Sequence, residues 1–223
     1  MLRCRGCFLV WRSAILPNMT TEPNHTGVWA PWADDTPLED NCAAVCNWLL
    51  ANAANTERRL TVVPEKPALE AQPSISQFAK NGNYVTPKGR NQQRPRTGGP
   101  VLAFVPDDKG LHLAIQYANN QVIGLVEWPS PRMEGWAAAV RALNVTTGER
   151  HPGVDDDTAE LLDDLYSAGY KGYSKSDKFV MAQAQPALTE LLARGLDADF
   201  IVSFMIAKGM SDSTAASLRK LIG

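Results

Sequence analysis

Residues 101–126 read VLAFVPDDKGLHLAIQYANNQVIGLV, and the reading of their middle decides the fold. Val101–Val105 and Val122–Val126 carry no polar side chain, as strands buried on both faces require. Between them, Leu111, Ala114, Ile115 and Ala118 recur at helical spacing, whereas Leu111, Leu113, Ile115 and Tyr117 alternate as in a strand. The strand reading gives a meander, with turns at 107–110 and at Asn119-Asn120. The helical reading gives strand–helix–strand, and with it a parallel sheet. We favour the helix. Flanking strands that are apolar throughout need a sheet covered on both sides, and Asp108 is placed to cap a helix there.

Working outward, Leu60-Thr61-Val62-Val63 is a third β-rich run, stopped by Pro64. Before it, Thr36, Pro37 and Glu39 spell a T-x-x-E capping box at the start of a helix over 37–54. Leu38, Cys42, Val45, Leu49 and Ala53 form its apolar stripe. After Val122–Val126 comes a helix over 132–143, with Met133, Trp136, Val140 and Leu143 on one face. Beyond a linker at 147–154 no strand signal returns. Helices are expected over 158–168, 177–193 with a bend at Pro186, 198–208 and 211–222, with Gly195 and Gly209 as stops.

The expected fold is therefore α/β: a small, mostly parallel three-layer sheet domain over 36–147, followed by an all-helical C-terminal subdomain over 155–223. Residues 1–35 read as an irregular arm with a leader within 1–18. Its Trp29 and Trp32 either pack over the domain or await a protein partner.

Composition narrows the function classes. The chain has 223 residues, 44% hydrophobic and 21% charged, enough for a sizeable core without cross-links. A net charge of −2 selects neither nucleic acid nor membrane, and no apolar run nears the roughly 20 residues of a membrane span. Four cysteines, Cys4, Cys7, Cys42 and Cys46, suggest no disulfide framework and match no familiar zinc module. A cytoplasmic location follows as the expectation.

The chain lacks a Walker A loop, a G-x-G-x-x-G fingerprint and a G-x-S-x-G elbow, and His25, His112 and His151 stand far apart. Three weaker signals remain. Under the parallel reading, Glu65, Asp107 and Glu127 each follow a strand. Ligands of open α/β sheets bind outside those carboxyl ends, where gathered carboxylates could hold Mg²⁺ for a hydrolase or nuclease. Pro106-Asp107 resembles the start of a PD-(D/E)xK nuclease motif, but Pro129 stands where its lysine would be. Acids after strands also serve simply as helix caps.

The second signal is a loop over 72–99 rich in Pro, Gly, Asn and Gln. It holds Lys80, Lys88, Arg90, Arg94 and Arg96, with no acid between Glu70 and Asp107. These cations suit phosphates, and Tyr84 suits a base. The third is the helix pair over 198–222, a helix–turn–helix in outline, whose second helix opens on Ser211-Asp212 and so reads better as a packing hairpin. The leading expectation is a non-enzymatic binding or regulatory module that grips nucleic acid or another polyanion through the basic loop and needs no cofactor. The alternatives are the Mg²⁺-dependent hydrolase and a protein–protein adaptor.

Overall fold

The apolar runs pair side by side. In the computed structural model, which describes residues 22–89, 95–170 and 172–223, Val101–Phe104 (β4) lies parallel to Val122–Val126 (β5). The segment between them, Asp108–Ala118 (α3), is helical, so the crossover is the strand–helix–strand unit. Leu60–Val62 (β2) flanks β4, and Tyr84–Val85 (β3) flanks β2. On the other side, Thr26–Ala30 (β1) pairs with β5, and Leu143–Asn144 (β6) pairs with β1. The order is β3-β2-β4-β5-β1-β6, all parallel.

Alternate residues of each strand enter different cores, which is why the runs show no polar face. Leu102, Phe104, Val126, Val28 and Ala30 pack beneath Leu38–Asn52 (α1) and Pro73–Phe78 (α2). Leu60, Val62, Val101, Ala103, Ile123, Leu125 and Trp29 face the opposite way. That side is covered by α3, Glu134–Val140 (α4) and the C-terminal helices. These are Asp156–Ala168 (α5), Lys178–Ala193 (α6), Ala198–Ala207 (α7) and Asp212–Ile222 (α8). Ile201, Val202, Met205, Ile206 and Ala207 of α7 are buried, and that helix crosses α4 closely. The helical tail therefore shares one core with the sheet, and the 198–222 pair is a packing hairpin.

Two glycines permit the closest approaches. A Cβ at Gly124 of β5 would stand 2.6 Å from Leu49 and 2.7 Å from Val45, so α1 rests directly on that strand. A Cβ at Gly135 of α4 would run into the Phe200 carbonyl and lie 2.7 Å from Ser203 Oγ.

Several expectations need correction. The arm proposed over residues 1–35 contains β1, a strand with neighbours on both sides, and Trp29 is buried in it. The leader proposed within 1–18 lies outside the described residues. The loop over 72–99 holds α2 and β3. The capping box at α1 does not form: Pro37 caps without a side-chain bond, and Glu39 accepts instead from Ser74 N at 3.0 Å and Ser74 Oγ at 2.6 Å. Glu39 thereby ties α1 to α2.

His25, just before β1, is buried, and Trp136 Nε1 donates to its Nε2 at 3.0 Å. Indole N–H only donates, so Nε2 is unprotonated and the ring proton sits on Nδ1, 3.3 Å from Asn24 Oδ1. Burial holds this imidazole down to a pKa of about 4.

Candidate functional site: a cleft at the carboxyl ends of β2 and β4

Parallel strands send their connections to one sheet face or the other, and crevices open where neighbours diverge. This sheet has two such points. After β2 the chain goes to the α2 face, whereas after the adjacent β4 it goes to α3 on the opposite face. Similarly, β1 leads to α1 and its neighbour β5 to α4.

The β1/β5 crevice is closed by the protein's own side chains. Glu127, after β5, is 1% exposed. Its Oε2 accepts from the backbone N–H of Trp32 at 2.8 Å, and its Oε1 from that of Met133 at 2.6 Å. Burial pushes this carboxyl up, opposed by those two N–H groups and by Arg132. The Arg132 guanidinium lies 3.6 Å from Glu127 Oε2 and also donates to the carbonyls of Pro129 at 3.1 Å and Trp32 at 3.5 Å. The loops after β1 and β5 are thus laced together, with the Trp32 and Trp128 rings packed at 5.2 Å between centroids.

The β2/β4 crevice is open. It is a cleft of about 730 Å³, within the range of small-ligand sites. Pro64 and Glu65 contribute after β2, Pro87 and Lys88 after β3, and Asp107, Asp108 and Lys109 after β4. Ser130, Pro131 and Asp199 form another side, and α8 closes it with Asp212, Ala216, Arg219 and Lys220. At its root, Val105 has φ 41°, a left-handed conformation strained for a β-branched residue. It turns the chain from β4 into the cleft wall.

Three of the acids already have partners. Asp107 caps α3 by accepting from Gly110 N at 2.7 Å. Asp108 receives Arg219 in a two-pronged pair, Nε at 2.6 Å and Nη2 at 2.8 Å. Asp199 accepts from Arg219 Nη1 at 2.6 Å and from Arg132 N at 3.0 Å. Arg219 therefore latches α8 over the start of α3. By contrast, the exposed side chains of Lys88, Lys109 and Lys220 form no ion pair with any described residue.

The residues singled out in the sequence divide accordingly. Glu65 and Asp107 line one cleft, as the strand-end argument expects. Glu127 does not join them, being turned into the other crevice and held there by backbone donors. Among the described residues no group of three or more His, Cys, Asp or Glu side chains could hold a metal ion, so the three-carboxylate Mg²⁺ site is corrected to a pair of cleft acids. Among the described residues the cations of the basic loop do not form one surface. Lys88 reaches the cleft, while Lys80 precedes β3 and Arg96 bonds through its backbone to Asn83, both at the amino end of the sheet. Tyr84 is half-buried against the core beneath α1 and α2. Arg90 and Arg94 lie outside the described residues. Sequence reasoning missed Lys109, Lys220 and Arg219; only the return of α8 to the start of α3 brings them together.

Cys42 and Cys46 are free and buried, and burial raises both thiols, Cys46 to about 12. No described helix is long and apolar enough to cross a membrane. The site and fold thus define a doubly wound parallel α/β protein with an open switch-point cleft. No protein-family model, curated protein or solved structure matches the chain.

Proposed function

We propose that this protein is a binding or regulatory module that takes nucleic acid or another phosphate-bearing polyanion in the cleft at the carboxyl ends of β2 and β4. One observation carries the reading: Lys88, Lys109 and Lys220 arrive from three separate elements and carry no ion pair among the described residues. Asp108 and Asp199 share the single charge of Arg219 and Asp107 is engaged by its helix, so the three lysines are the cleft's unpaired cations, set among the acids Glu65, Asp107, Asp108, Asp199 and Asp212. The basic-loop expectation is retained only through Lys88. A cytoplasmic location belongs to the same proposal, and the reduced, buried Cys42 and Cys46 accord with it.

The test is a titration with labelled single- and double-stranded oligonucleotides and with long-chain polyphosphate, at about 50 and 200 mM salt. Three lysine–phosphate contacts to a single strand predict about a 20-fold loss of affinity across that range. A Lys88→Ala, Lys109→Ala, Lys220→Ala variant should bind far more weakly and lose most of the salt response. Unchanged binding in the triple variant refutes the reading. Since Glu65 and Asp107 share the cleft, Mg²⁺ is included in one arm, and Mg²⁺-dependent strand cleavage would replace a binding module with a hydrolase.

A further inference from the structure

The loop that walls the open cleft also carries an aromatic surface. Ser130 and Pro131 line the cleft, and Trp128 stands two residues before Ser130, at most about 7 Å of chain away. The Trp128 side of this loop is unusual for a large apolar residue, since it is 44% exposed. The Trp128 ring packs on Trp32 at 5.2 Å with the planes 58° apart, and Trp32 Nε1 is fixed by Asp34 Oδ1 at 2.9 Å. Beneath the pair, Glu127 and Arg132 bind the two supporting loops to each other through Trp32 N, Met133 N, Trp32 O and Pro129 O. An exposed indole backed by a second, hydrogen-bonded indole on an anchored loop offers aromatic surface to a planar ligand.

We propose that the anionic ligand of the cleft is single-stranded nucleic acid, its phosphates held by Lys88, Lys109 and Lys220 and a neighbouring base stacked on Trp128. The inference rests on the cleft reading above and adds the class of polymer. Cations tracking a backbone beside an aromatic platform are the combination that non-sequence-specific single-strand binders use, because every base offers a π face once it is unpaired. A duplex keeps its base faces covered and could use only the lysines. Inorganic polyphosphate has no ring and is limited in the same way.

The experiment measures fluorescence anisotropy of the full chain with labelled oligothymidylate, a blunt duplex of equal length and long-chain polyphosphate. The wild type should bind the single strand most tightly. Trp128→Ala should weaken that binding about 5- to 150-fold, the range that base–aromatic stacking spans, and leave duplex and polyphosphate affinities within a factor of two or so. Trp128→Phe should recover part of the loss. The exposed position makes these variants safe for folding, and an unchanged urea midpoint confirms it. Single-strand affinity that survives Trp128→Ala overturns the stacking proposal. Lysine-dependent binding with no preference for the single strand also overturns it, but leaves the cleft reading standing. If none of the three polymers binds, both fall.

Discussion

Acidification should unfold this protein partly through one imidazole. His25 is folded as the neutral ring, with Nε2 accepting the Trp136 indole N–H. Protonation would set a second donor against that N–H inside the core. The buried ring titrates at about 4, against 6.5 for the free side chain. Between those values the unfolded chain binds a proton that the folded chain refuses, so stability is intact above pH 6.5 and falls as pH drops through the window. At about 1.4 kcal/mol per pH unit, the contribution lost is about 2 kcal/mol by pH 5 and about 3 kcal/mol by pH 4. Other groups titrate as well, so the measurement is a difference. His25→Gln keeps an oxygen able to accept from Trp136 but cannot titrate. Urea unfolding of both proteins at pH 7, 6, 5 and 4 should give two curves that converge, or cross, as pH falls, their gap shifting by about 3 kcal/mol. Parallel curves would refute the argument. So would an imidazole NMR titration with a midpoint near 6.5.

Two further outcomes follow from packing at the sheet and its edge. Gly135→Ala adds a methyl where α4 meets the Phe200 carbonyl; overpacking of about 3 kcal/mol should outweigh the roughly 1 kcal/mol helix-propensity gain and lower Tm by about 4–8 °C. A Tm at or above wild type would show that the crossing yields easily. Glu127→Ala strands the buried N–H groups of Trp32 and Met133 and should cost about 3–5 kcal/mol in urea unfolding. Added acetate should restore part of that loss beyond a chloride control, and equal effects of the two salts would count against it.

The sheet was legible wherever the strand's own residues announced burial. Val101–Phe104 and Val122–Val126 have apolar side chains on both faces, and helical spacing from Leu111 to Ala118 identified the crossover, although the residue that caps it is Asp107 and not the expected Asp108. The interior strand β1 was not legible, because in Thr26-Gly27-Val28-Trp29-Ala30 the strand formers are interrupted by Gly27 and followed by Ala30 and Pro31. Its Gly27 is needed where Trp136 and Val140 press onto the strand, a tertiary reason with no local signature. β3 and β6 are two residues each, too short for any periodicity. α2 did leave a trace, Pro73 at its start with Ile75 and Phe78 three apart, but the basic residues around it drew the eye to loop chemistry. At the site, position after a strand of a parallel sheet located Glu65 and Asp107. Whether an acid after a strand faces outward or folds back depends on its neighbours. For Glu127 the deciding donors come from Trp32, 95 residues away, and Met133. Arg219 and Asp108 meet across 111 residues, a pairing that no short-range pattern records.

The sealed crevice bears on how many ligands such a sheet can serve. A doubly wound sheet with two divergence points offers two berths, each lined by backbone donors at loop starts. Here one berth is already taken by an internal ligand: the Glu127 carboxylate sits on two N–H groups as a small anion from solution would. That occupant is covalently tethered, so its effective concentration never falls, and the berth cannot compete for substrate. The cost is a buried acid, and the return is that the loop carrying Ser130 and Pro131 is anchored through Glu127, Arg132 and Met133 where it walls the neighbouring cleft.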